Sequence, residues 1–200
     1  MTPVHVDRIN ARQASSVFRV KLATWKRWSR EFLPPDPKAR LRSGQTRLFS
    51  PNQAFEVFLG SHLVSFLGYS IPETRAIIGM LRPWLRKNGI YPDVSDLAPG
   101  VLRTMKRLQL IIHRKDDDTF CCESKRIVSV KPSTGQRKGN VIEEVYEQAW
   151  LPGASVDDML RLRFVNFRVL EVGRLRETFD RTLASGESME PQTLAKSLTT

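Results

Sequence analysis

A helix-start motif that occurs twice, 20 residues apart, is the strongest constraint on the fold of this chain. In Ser50–Gln53 and Ser70–Glu73, a serine stands three residues before a side chain that can bond back to the serine N–H, and a proline follows within two positions. Apolar residues then recur every three or four positions, as far as Gly68 in the first case and Pro83 in the second. The sequence therefore predicts two consecutive helices, the second of which Pro83 kinks or ends.

Two shorter helices are predicted upstream of this pair. Asn10 can cap the first, which runs to Phe18, and the second runs from about Lys21 to Phe32. At about 100° per residue, the second helix has one apolar side and one basic side. The apolar side comprises Leu22, Trp25, Ser29 and Phe32 with Trp28 at its edge, and the opposite side comprises Ala23, Arg27 and Arg30. We expect Trp25 to lie in the core and the arginines to face outward.

The net charge of +11 is confined almost entirely to the N-terminal half. Residues 1–92 carry 15 basic and 5 acidic side chains, a net charge of +10, whereas residues 93–200 carry 17 and 16. A charge gathered on one half indicates a polyanionic partner, with nucleic acid as the first candidate and an anionic membrane as the second. No apolar run approaches the ~18 residues of a membrane span, and the N-terminus lacks the apolar stretch of a secretory signal. We therefore expect a cytoplasmic, nucleoid-associated protein without a membrane partner.

Five segments, in order, resemble the winged helix-turn-helix of MerR-type transcription regulators over residues 9 to about 82. They are Arg12–Ser15 continuing to Val20, Thr24–Trp28, Phe32–Pro35, Arg47–Ser50 and Gly68–Glu73. The resemblance implies that Thr24, Lys26 and Arg27 lie on a recognition helix and that Arg47 lies in a wing against the phosphate backbone. It also implies a sequence-specific regulator that binds double-stranded DNA as a homodimer, with RNA polymerase as a further partner.

The chain departs from this family at four places, two of which are the absence of a glycine before Phe32 and an extra residue between Gly44 and Arg47. Arg19 stands where the family usually turns on glycine, so a side chain occupies a position that favours a positive φ. After residue 82 the family commonly continues into a long antiparallel dimerisation helix. Here that helix is excluded by Pro83, Gly89, Pro92, Pro99 and Gly100.

The second half predicts a mixture of helices and strands. Residues 108–113 and 120–130 have the composition of two strands of a hairpin, which turns at Lys115–Thr119. The remaining expectations are a short helix at 101–107, a basic loop at 131–140, a helix at 141–150 and a long helix at 155–183, with strand as the alternative for 160–172. The expected fold class is mainly α with small β-hairpins, a winged helix-turn-helix N-terminal domain followed by an α+β C-terminal domain.

The expected domain boundaries follow from charge and composition. They are a DNA-binding domain at 1–92, an effector or dimerisation domain at 93–183, and a polar tail at 184–200. Residues 155–183 carry more apolar side chains than one helix face can hold, so we expect them to form the principal dimer contact. On this division, a fragment of residues 1–92 is a weak monomeric DNA binder.

The candidate DNA-binding residues fall into two classes. Arg27 and Arg30 lie opposite the apolar side of their helix, and arginine can bond guanine O6 and N7 in the major groove. Basic residues in the loop between Pro35 and Phe49 suit phosphate contacts, which orient the protein without reading the sequence. The full set is Lys21, Thr24, Lys26, Arg27, Arg30, Arg40, Arg42 and Arg47.

No pattern in the chain predicts catalysis, a metal or a cofactor. The adjacent Cys121 and Cys122 make an incomplete metal site, and because neighbours on a strand point to opposite faces we expect one of them to be buried. The histidines at 5, 62 and 113 lack paired ligand spacing, and no phosphate-binding loop or hydrolase motif is present. Two alternatives to a regulator stay open. One is an excisionase-like architectural DNA-binding protein of a mobile element, and the other is a basic protein-interaction module.

Overall fold

The computed structural model describes residues 8–36, 46–92, 108–115, 117–132, 142–151 and 164–185. This part of the chain is mixed α/β, with five α-helices and two antiparallel sheets. The chain forms two compact units, one of Met1–Asp96 with Leu175–Thr200 and one of Leu97–Arg174. Residues 175–183, which were assigned to the second domain on composition, thus belong to the first unit.

The first unit contains four helices and a two-stranded sheet in its N-terminal segment. In chain order these are β1 (Ile9–Asn10), α1 (Ala11–Val17), α2 (Leu22–Phe32), β2 (Leu48–Phe49), α3 (Pro51–Ser65) and α4 (Ile71–Lys87). β1 pairs antiparallel with β2, so that Ile9 lies opposite Phe49. The C-terminal helix α5 (Val172–Ser185) supplies the rest of this unit from Leu175 onward.

The predicted helix starts are confirmed. The side chains of Ser50 and Ser70 each accept a hydrogen bond from the backbone N–H three residues later, and Gln53 and Glu73 bond back to the serine N–H. Asn10 caps α1 in the same reciprocal way. These motifs set the N-termini of α1, α3 and α4 through bonds within four residues, which is why they can be recognised in the sequence.

Of the two effects predicted for Pro83, the end of α4 is wrong, because the helix continues to Lys87. Proline removes the bond to the carbonyl four residues earlier, here that of Gly79. Both Pro83 and Gly79 are exposed, so water can bond this carbonyl, while Leu81 and Leu85 hold the helix in the core on either side.

The core of the first unit is aromatic. Trp25, Phe55 and Phe179 are fully buried, which confirms the placement of Trp25. The Phe18 ring stacks on Trp25 and on Phe179, with centroids 5.5 and 5.2 Å apart. Because Phe179 comes from α5, a fragment of residues 1–92 would lack part of the core of the first unit.

The second unit contains a four-stranded antiparallel sheet of order β5-β4-β3-β6. The strands are β3 (Gln109–Lys115), β4 (Phe120–Pro132), β5 (Ile142–Trp150) and β6 (Phe164–Leu170). The hairpin of β3 and β4 is confirmed, with His113 opposite Cys121. The β-structure is therefore more extensive than the small hairpins predicted.

Two helix predictions in this unit are wrong. Residues 142–150 form a strand that pairs along β4, from Glu123 opposite Trp150 to Pro132 opposite Ile142. Residues 164–170 form a strand that pairs with β3 at the opposite edge of the sheet, with Leu110 opposite Leu170. The helix therefore begins only at Val172. The backbone groups of both strands form hydrogen bonds with strands that are distant in the sequence, and this pairing overrides the local helix propensity. The strand alternative is correct for 164–170.

Several predicted features lie outside the described residues. They are the helix at 101–107, the loop at 133–140, the hairpin tip at 37–45 and the tail beyond 185.

Candidate nucleic-acid interface

Helix α2 is oriented by its buried side. Trp25, Ser29 and Phe32 face the core, with exposed fractions of 0, 4 and 2%. Residues at the opposite positions of an α-helix must then face outward, and Lys26, Arg27 and Arg30 are all exposed. The structure thus places the three predicted basic residues of this helix on one solvent-facing surface.

Four residues join α1 to α2 in a tight turn. Arg19 adopts φ 48°, as expected for a residue in a position that favours glycine. The Val20 N–H donates to the Ser15 carbonyl at 3.0 Å, and the Phe18 N–H donates to the Ala14 carbonyl at 2.9 Å. The buried ring of Phe18 then packs on Trp25 of α2. The turn and this stacked pair together hold the two helices in one arrangement.

The basic side chains around α1 and α2 outnumber the acidic ones. Residues 8–36 contain seven, all exposed: Arg8, Arg12, Arg19, Lys21, Lys26, Arg27 and Arg30. The two acids in this stretch are Glu31 and Asp36, and Glu31 is paired with Arg75 of α4. Within the described part of the chain, Lys21, Lys26 and Arg27 make no ion pair, so their charge is available to a partner.

The remaining predicted contacts on α2 differ in detail. The Arg30 Nε donates to the Lys26 carbonyl at 3.3 Å, which turns its side chain back along the helix. Thr24 is half-buried, and Lys21 is the exposed residue that precedes the first turn. Arg27 is therefore the arginine of α2 that extends from the centre of the exposed surface without a bond to its own helix.

Arg47 has contacts within the first unit. Its Nη2 donates to the Pro34 carbonyl at 3.1 Å, and its guanidinium lies 5.4 Å from the centre of the Phe49 ring. Burial lowers the pKa of Arg47. This residue ties β2 to the end of the α2 segment, a structural role that its place in a basic loop did not indicate. The other two predicted loop contacts, Arg40 and Arg42, lie outside the described residues.

A buried carboxylate anchors the C-terminus of α2, and the sequence reasoning missed it. Glu56 of α3 accepts two bonds from Arg82 of α4, both at 2.9 Å, and one from the Tyr91 hydroxyl at 2.5 Å. The Nη2 of Arg82 also donates a hydrogen bond to the carbonyl of Phe32, the last residue of α2, at 2.9 Å. Burial and the bond to Glu56 raise the pKa of Tyr91.

This cluster connects α2, α3 and α4 through charge-assisted bonds. In the sequence, this cluster is indicated by Glu56 alone, the single acid inside the apolar stretch 54–59. A glutamate that is buried there needs a cationic partner. The partner itself is 26 residues away along the chain and carries no local mark.

Helices α2 and α3 also approach closely at Gly60. A methyl group at that position would lie 2.3 Å from Cδ2 of Phe32, a distance that real contacts do not reach. The absence of a side chain at Gly60 therefore permits Phe32 to enter the core and helps to position the basic surface of α2.

Cys121 and Cys122 are both buried, with exposed fractions of 2 and 1%. The prediction that only one of them is buried is therefore wrong. Neighbours on a strand face opposite sides, so both faces of the sheet are covered at this point. Burial raises the pKa of the Cys122 thiol and disfavours its thiolate. The described residues contain no cluster of three metal-ligating side chains.

Comparison with models of known protein families and with curated proteins yields no match to this chain. Among the helices of the described residues, none combines the length and the apolarity that a membrane crossing requires.

Proposed function

We propose that this protein is a sequence-specific DNA-binding transcription regulator of MerR type, with α2 as the recognition helix. The observation that carries the proposal is the outward surface of α2. Arg27 and Arg30 face solvent opposite the buried face that fixes the helix on the core, and the exposed Lys26 lies beside them. A helix of 11 residues is about 16 Å long, and the major groove, about 12 Å wide, admits a helix of this kind.

The arrangement around α2 supports the same proposal. The short turn that joins α1 to α2 supports this proposal, because a helix-turn-helix places its recognition helix directly after such a turn. Arg27 is the residue proposed to read a base, because a guanidinium can bond guanine at two points. Lys21, Lys26 and Arg30 are proposed to contact phosphates or neighbouring bases from the same surface.

We further propose that the protein acts as a homodimer on DNA, since one winged domain covers only one half-site and gains specificity by pairing. The candidate dimer surface is the outer edge of β6, where Phe167 and Val169 are 62 and 40% exposed. Among the described strands, β6 is the last of its sheet, and an edge strand with exposed apolar residues is a site for strand pairing. RNA polymerase is the partner expected of a regulator in this class.

The test begins with selection of preferred duplexes from a random pool by the full-length protein. Affinities for the selected duplex and for random duplex are then measured by fluorescence anisotropy for wild type, Arg27→Ala and a matched control, Arg86→Ala. Arg86 is an exposed arginine near the end of α4, so both variants lose one surface charge.

Loss of a two-point base contact costs about 1–3 kcal/mol at the preferred site and little on random DNA. We therefore expect Arg27→Ala to lower the preference for the selected duplex, and Arg86→Ala to leave it unchanged. If both variants lose affinity in equal proportion on the two duplexes, base reading by Arg27 is refuted. If the pool yields no preferred sequence although random duplex binds, an architectural DNA-binding protein is favoured instead.

A further inference from the structure

A cavity of about 190 Å³ opens in the first unit beside the turn between α1 and α2. Its walls come from that turn, from α2 and α3, and from α5, and they are mainly apolar. The wall includes four aromatic side chains, Phe18, Trp28, Phe58 and Phe66. A concave apolar wall with few polar groups is the usual form of a small-molecule site.

His62 is a buried polar residue of this wall. Its side chain is almost fully buried, with 4% exposed, and its Nδ1 has no hydrogen-bond partner among the described residues. The hydroxyls of Ser61 and Thr182, also on the wall, already donate to carbonyls of their own helices. A buried polar atom without a partner costs free energy, so a ligand that bonds to His62 gains more than one that does not.

The volume limits the size of the ligand. An apolar cavity of about 150 Å³ admits benzene, whereas drug-sized ligands occupy about 300 Å³ or more. A cavity of about 190 Å³ therefore suits one aromatic ring with one small substituent. Aromatic rings on the wall also favour an aromatic occupant, which can stack or meet them edge to face.

The charge of His62 selects the substituent. Burial lowers the pKa of His62 to about 4, so the imidazole is neutral at pH 7. A neutral imidazole offers one donor and one acceptor but no charge to balance a carboxylate. A hydroxyl group, which can both donate and accept, matches it.

We propose that this cavity binds a single-ring phenol, whose ring packs against Phe18, Trp28 and Phe58 and whose hydroxyl bonds to the imidazole of His62. The inference goes beyond the proposed DNA contact and does not depend on it. The cavity wall includes Trp28 of α2 and the turn between α1 and α2. An occupant in contact with both stabilises the observed arrangement of α1 and α2, and if both proposals hold it also stabilises the proposed DNA-binding surface.

The test is calorimetric titration of the full-length protein with phenol and with toluene, which has similar size and no hydroxyl. Both ligands are titrated into wild type and His62→Leu. Taking the ratio of the two affinities in each protein cancels the different solvation of the ligands, and the change in ratio measures the contact with His62. We expect the ratio of phenol to toluene affinity to fall about tenfold in His62→Leu, equivalent to about 1.4 kcal/mol.

A second pair of variants tests the location without touching His62. Ser65 is exposed at the wall of the cavity, and Ser16 is an exposed serine of α1 outside it. Ser65→Trp is expected to block both ligands, and the control Ser16→Trp is expected to leave both affinities unchanged.

Three results would overturn the proposal. The first is no saturable binding of phenol to wild type, which means that the cavity holds water alone. The second is an unchanged ratio in His62→Leu. The third is tighter binding of benzoate than of phenol, which assigns the site to an anion, with Arg19 on the wall as its partner.

Discussion

Replacement of Gly60 by alanine tests how the basic surface of α2 is held in place. The added methyl group would lie 2.3 Å from Cδ2 and 2.5 Å from Cε2 of Phe32. Phe32 is only 2% exposed, so its ring has no open space to enter, and either the ring or α2 itself must shift. Overpacking of this kind costs about 1–3 kcal/mol.

Gly79 supplies a matched control. It lies inside α4 as Gly60 lies inside α3, but nothing stands within 4 Å of a methyl group at Gly79. Replacing glycine by alanine inside an exposed helix stabilises by about 0.5–1 kcal/mol, and the same gain offsets part of the cost at Gly60. We expect Gly79→Ala to be more stable than wild type, and Gly60→Ala to be about 1–3 kcal/mol less stable than Gly79→Ala, because the helix-propensity gain is common to both variants.

The assay is urea denaturation followed by far-ultraviolet circular dichroism, in which the helices dominate the signal, with the free energy of unfolding extrapolated to water. DNA affinity of the two variants is measured in parallel, because a shift of α2 at Phe32 moves the proposed recognition surface. Equal stability of Gly60→Ala and Gly79→Ala would refute the packing argument, and with it the claim that Gly60 sets the position of α2.

Three further predictions concern other parts of the chain. The unfolded chain protonates His62 near pH 6.5 and the folded protein near pH 4. As the pH falls from 6.5 to 4, wild type therefore loses about 3 kcal/mol of stability and His62→Leu does not, as urea denaturation across this pH range measures. Glu56→Gln leaves the Arg82 guanidinium without its anionic partner and lowers the free energy of unfolding by about 1.5–3 kcal/mol, as urea denaturation measures. Phe167→Glu places a charge on the exposed edge of β6 and converts a dimer to a monomer in light scattering, whereas an unchanged mass would move the dimer contact elsewhere.

Local signals in the sequence predicted the helices of the first unit well. The serine capping motifs act within four residues, and the apolar side of α2 repeats at helical spacing, so Ser50, Ser70 and Trp25 could be placed without a structure. The positive φ of Arg19 was expected from its place in a turn that favours glycine.

Features that depend on distant partners were not predictable in the same way. Residues 142–150 and 164–170 become strands because β4 and β3 offer them unpaired edges, and neither strand carries an unambiguous alternation of its own. Phe179 returns to the core of the first unit after more than 80 intervening residues from Tyr91, and no local pattern marks that return. The Glu56–Arg82 pair is equally non-local, so the support behind α2 emerged only from the fold.

DNA binding by the exposed basic surface around α2 can be measured through the affinity of the full-length protein for random duplex across a salt series. Each phosphate neutralised by a basic side chain contributes about −0.9 to the slope of log affinity against log salt concentration. With three to five contacts from the α2 surface, we predict a slope between about −2.7 and −4.5, made shallower by about one unit in Lys26→Ala. Absence of binding at low salt, or an affinity for duplex that does not change with salt, would contradict the account.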